Sequence, residues 1–92
     1  VCHGIPSKDQ IIKNGDIVKV DIATILDGYF GDNCYTFCIG EVSDDAKYLV
    51  EVAHECLYQG IEWIAPNNKT GVIGEAIANH AHAHECSVVW QY

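Results

Sequence analysis

The dipeptide Asp27-Gly28 stands between two runs, DIVKVDIATIL at 16–26 and YFGDNCYTFCI at 29–39, both rich in β-branched and aromatic residues. Asp-Gly is a favoured pair for a two-residue hairpin turn, because both turn positions need a positive φ. The stretch therefore predicts two antiparallel strands with Leu26 opposite Tyr29, so that residue numbers in every later pair sum to 55. In that register Asp21 lies opposite Cys34, and Ala23 lies opposite Asp32. Side chains alternate along a strand, which puts residues 21, 23, 32 and 34 on one face. Asp21 and Asp32 are then diagonal neighbours, with Cβ atoms about 7–8 Å apart or somewhat less. The first run is apolar on both faces and so predicts a strand buried on both sides.

The turn accounts for Asp27. Asp21 and Asp32 need a different explanation, because Ile17, Ala23, Ile25 and Phe30 share their face. A carboxylate among apolar side chains is costly without a partner, and a cation held between two carboxylates is one solution. Lys19 projects from the same face two residues from Asp21. It offers an ordinary ion pair as a second reading, and solvated surface acids are a third. The residue pattern leaves all of these open.

The remainder reads as α+β. HGIPSKDQIIKNGD is a loop punctuated by Gly4, Pro6 and the Asn14-Gly15 turn signal, and residues 1–3 suit a strand end. Ser43 is placed to cap a helix, with Asp44 and Asp45 complementing its dipole. From Ala46 to Ile64 apolar residues keep a helical period until Pro66. A second helix, roughly 70–84, carries Val72, Ile73, Ala76, Ile77 and Ala81 on one face, and CSVVWQY then looks like a strand. The order β-β-α-α-β, with consecutive helices, favours α+β over a doubly wound sheet.

Composition narrows the function classes. Ninety-two residues make one small domain or a piece of a larger one, and the chain begins at a valine, which suggests a piece. A formal charge of −8 with five Lys or Arg argues against nucleic acid or an anionic membrane as partner. It suits carboxylates gathered for cations. The five cysteines include no C-x-x-C pair, and Cys34 and Cys38 lie too far apart on a strand to bridge comfortably. Reduced thiols in a cytosolic protein are expected. No apolar run approaches membrane-spanning length.

A competing metal motif is NHAHAHE, where His80 and His84 fall at i and i+4 on one helical face. His82 points elsewhere. No H-E-x-x-H pattern is present, and the sequence offers no nearby third ligand. The expectation is therefore ordinary histidines favoured by the C-terminal end of a helix.

VCHGIP at 1–6, GDIVKVDIATILDGYFGD at 15–32, TF at 36–37 and GEV at 40–42 resemble type I methionine aminopeptidases. IGEAI at 73–77 and SVV at 87–89 are similar to the same family at compatible spacing, so the resemblance runs the length of the chain. Its motifs are specific, with Asp21 eighteen residues after His3 and Asp32 eleven after that.

The resemblance implies the α+β pita-bread fold, with residues 1–92 forming part of the catalytic domain, without its upstream start and C-terminal half. It implies two divalent ions (cobalt, manganese, iron or zinc), with Asp21 chelating one and Asp32 bridging both. His3 would contact substrate and help stabilise or protonate the reacting peptide group. The implied activity is removal of N-terminal methionine from nascent proteins when the second residue is small. The setting would be the cytoplasm, at the ribosome, with the intact enzyme a monomer. The family's Gly-His-Gly segment, further histidine and two glutamate ligands would follow Tyr92, so these residues carry two of five ligands and are expected to be inactive alone. Lys19 departs from the family at a place that often carries a small polar residue. Alternatives are a non-catalytic pita-bread binding protein and a proline-specific aminopeptidase of the same fold.

Overall fold

The computed structural model describes residues 4–90. The expected strand end at 1–3 lies outside them. Two compact units follow in chain order, Val1–Ser43 and Asp44–Tyr92.

The first unit is the hairpin. Strand β1 (Ile17–Leu26) pairs antiparallel with β2 (Tyr29–Cys38), from Leu26↔Tyr29 to Ile17↔Cys38 without a slip. Asp27 and Gly28 adopt φ of 51° and 84°, the doubly positive turn whose twist matches the strands. Backbone bonds between Gly15 and Ile39 (2.8 Å) and between Ile39 and Asp16 (2.9 Å) continue the ladder below β1. The Asn14 side chain accepts from the Glu41 amide at 3.0 Å and ties the two chain ends together.

The burial expected for β1 is not found. Every residue of the hairpin strands is exposed or half-exposed, with Ile25 at 64% and Phe30 at 81%. The reason is topological: the sheet has two strands, and the hairpin unit holds no helix or second sheet among the described residues to cover its faces.

The second unit pairs helix α1 (Asp44–Ile61) with helix α2 (Thr70–Ala83). Val52, Cys56 and Gly60 recur at intervals of four along α1, so one stripe is buried. Val52 and Cys56 form the core with Ala81, joined by Ile77 and Cys86. Gly60 allows close approach, since a Cβ there would come within 3.0 Å of Ile77 Cδ1 and 3.2 Å of Ile73 Cγ2. Helix α1 ends before Pro66, earlier than its apolar period suggested. Tightened turns join Trp63 to Gly60 and Ile64 to Ile61, and the Asn68 amide caps the Trp63 carbonyl at 2.9 Å.

Helix α2 closes with a Schellman arrangement. The Cys86 amide reaches back to the Ala81 carbonyl at 2.8 Å and the Glu85 amide to that of His82 at 3.1 Å, with Glu85 at φ 56°. Residues 87–89, expected as a strand, are irregular. A strand persists only against a partner, and the hairpin is the one sheet among the described residues.

Candidate metal centres

The observed register brings Asp21 opposite Cys34 and Asp32 opposite Ala23. Both aspartates therefore stand on one face, diagonally placed, as the turn chemistry demanded. Both are exposed. Neither makes a hydrogen bond or ion pair with any described residue, and Lys19 is not paired with Asp21. Of the three readings, the protein-internal ion pair is absent from the described residues. Two readings remain, solvated surface acids and an all-oxygen donor pair on one face of the hairpin, the latter chemistry suited to a hard or borderline divalent cation. Asp27 occupies the turn and takes no part in that pair. His3, the expected substrate contact, lies outside the described residues.

The helical unit adds a partner to the histidines of NHAHAHE, which were expected to be ordinary helix-end residues. His80 and His84 do share a face, with ring centroids 4.5 Å apart. A third group able to ligate a metal lies close by, since Glu55 on α1 places Oε2 2.8 Å from His80 Nε2. One ligand atom from each of Glu55, His80 and His84 lies within 4.8 Å of the others. The Tyr48 hydroxyl contacts His84 Nδ1 at 3.0 Å and the His84 carbonyl at 3.4 Å. His82 is exposed and stands apart, as expected. Spacing could not reveal Glu55 or Tyr48, since both sit on a different helix and reach the histidines only through α1–α2 packing.

The four described cysteines Cys34, Cys38, Cys56 and Cys86 are free thiols. Burial raises the Cys56 pKa above its ordinary value, with smaller contributions from Cys86 and Glu55. No described helix is long and apolar enough to cross a membrane.

Comparison with known proteins gives one consistent picture. Residues 1–91 match metallopeptidase family M24. A methionine aminopeptidase of Haemophilus influenzae is 46% identical over 93 residues, covering 100% of this chain and 35% of that protein. Methionine aminopeptidase A of a Synechocystis species is 48% identical over 89 residues, covering 97% of this chain and 35% of that protein. The crystal structure of methionine aminopeptidase from Rickettsia prowazekii superposes with a TM-score of 0.91 at 45% identity. That match covers 97% of this chain and 36% of the other. The chain thus spans about 35% of the length of the curated relatives it matches.

Proposed function

The chain belongs to metallopeptidase family M24, and on that premise we propose that the intact enzyme removes N-terminal methionine from nascent proteins whose second residue is small. The observation that carries this reading is the pair Asp21 and Asp32, held on one hairpin face by an unslipped register and unpaired with any described residue. Residues 1–92 would supply the hairpin half of the catalytic domain. The exposed apolar faces of β1 and β2 would be covered by the rest of it.

In this reading Asp21 would help hold one divalent ion, and Asp32 would be shared between that ion and a second. Such ions, when bound, acidify a water and offset the charge that develops on the peptide oxygen. Everything else falls to the chain. The Asp27-Gly28 turn fixes the register, and so puts the two aspartates on one face as diagonal neighbours before a cation arrives. His3 contacts the substrate and donates to, or protonates, the reacting peptide group, work suited to a group that titrates near neutrality. Carboxylate oxygens accept cobalt, manganese, iron or zinc, and availability decides among them. The substrate is the free N-terminal peptide of a new chain, met at the ribosome in the cytoplasm by a monomeric enzyme.

A peptide panel tests the substrate class. The intact enzyme is expected to release methionine from Met-Ala-X and leave Xaa-Pro peptides untouched. Cleavage of Xaa-Pro peptides in preference would move the protein to a proline-specific activity. Binding of both without cleavage, metals supplied, would make it a non-catalytic relative.

A further inference from the structure

We propose that Glu55, His80 and His84 form a second metal site, separate from the hairpin aspartates, that takes one late first-row divalent ion such as zinc and clips α1 to the end of α2.

The donor set is the argument's foundation. Two imidazoles and one carboxylate suit zinc, which commonly takes three protein ligands and leaves a fourth position to water. Ligand atoms around a tetrahedral ion of that size lie about 3.4 Å apart. The three here fall within 4.8 Å of one another, so side-chain rotations would have to bring them only about 1.4 Å closer. His80 and His84 come from one helical face, and Glu55 comes from the other helix, which makes the site a cross-link.

Hydrogen bonding prepares two of the three ligands. With its own proton on the His84 carbonyl at 3.4 Å, the Tyr48 hydroxyl can accept from Nδ1–H at 3.0 Å, one of the two tautomers this contact allows. That tautomer leaves the lone pair of His84 Nε2 for a metal. One proton lies in the hydrogen bond between His80 Nε2 and Glu55 Oε2, 2.8 Å apart. A metal ion takes the place of that proton, which leaves Nε2 for solvent or for Nδ1. Side-chain exposures of 20% for His80 and 45% for Glu55 leave the pair partly dry yet reachable from water. The net charge of −8 further favours a cation.

The test is zinc competition against a chromophoric chelator, using the full chain with Asp21→Asn and Asp32→Asn in place so that the hairpin contributes nothing. One equivalent of zinc is expected to bind. His80→Ala and His84→Ala should each weaken it more than about 10-fold, and Tyr48→Phe by about 10-fold or less, the lower end for losing an orienting partner. His82→Ala should leave it unchanged. Cobalt, used as a second probe, should give tetrahedral visible bands without an intense near-ultraviolet sulfur-to-cobalt band. An effect of His82→Ala equal to that of His80→Ala would mean unspecific histidine binding and overturn the proposal, whether or not a variant folds. So would a sulfur band, or zinc binding indifferent to His80 and His84. Because the aspartates are already removed, none of these outcomes bears on the peptidase reading.

Discussion

Cys56 shows how one residue reports on the helical core. Its thiol packs with Val52 and Ala81, and lies 3.7 Å from the Ile77 carbonyl. Burial first, then Cys86 and Glu55, hold its pKa above the ordinary value. A thiol so placed is a poor nucleophile at neutral pH, since only the thiolate reacts. Timed alkylation at pH 8 with mass mapping should therefore modify exposed Cys34 and Cys38 first and Cys56 last. Equal rates would show that the α1–α2 core does not persist in solution. The pH dependence follows from the same direction of shift. A raised folded-state pKa contributes stability that is complete below the unfolded thiol value and is lost as pH rises through the folded one. The helical unit should thus loosen on the alkaline side, and Cys56→Ala should blunt that loss.

Two positions decide how well the helical element is built. Glu85 occupies the left-handed position of the α2 cap, at φ 56°, where glycine is the usual residue. Glu85→Gly should raise the stability of the helical unit by about 0.5–1 kcal/mol, the strain relieved exceeding the entropy added to the unfolded chain. Gly60→Ala tests the opposite balance. Better helix propensity returns about 1 kcal/mol, while crowding Ile73 and Ile77 costs about 1–3 kcal/mol, so a net loss of about 1 kcal/mol is expected. Urea unfolding followed by far-ultraviolet circular dichroism measures both, and a gain for Gly60→Ala would deny the close approach. At this scale the sequence was readable wherever chemistry was local. Asp27-Gly28 set the turn, and with it every pair of the hairpin. The period of Ala46, Leu49, Val50, Ala53, Cys56, Leu57, Ile61 and Ile64 marked α1, although of these only Cys56 belongs to its buried stripe of Val52, Cys56 and Gly60. The break before Pro66 was visible, though Asn68 and the tightened turns ended the helix earlier. What escaped was non-local. Glu55 meets His80 only because two helices pack in one register, and residues 87–89 lack the partner a strand requires.

Over the whole molecule, the apolar runs of β1 and β2 are written for burial, yet side chains such as Ile25 and Phe30 are exposed. The pattern belongs to a larger body, in keeping with relatives of which this chain spans about 35%. The candidate catalytic pair was legible because a turn, a register and an alternation sufficed to place Asp21 and Asp32 together. His3, outside the described residues, and the further ligands rest on family resemblance alone. The 92 residues by themselves should release no methionine from Met-Ala-X peptides, since two carboxylates cannot hold the ions firmly enough to act. Turnover by these residues alone would mean that the hairpin pair is not half of a larger centre. The most direct test replaces each of the three aspartates in the intact enzyme by asparagine, then measures bound divalent metal and methionine release. Asp21→Asn and Asp32→Asn should lose catalytic metal and slow release by about 100-fold or more. Asp27→Asn should keep both, because asparagine serves equally well in that turn. Full metal content and undiminished release in Asp21→Asn and Asp32→Asn would contradict the assignment of this hairpin to the catalytic centre.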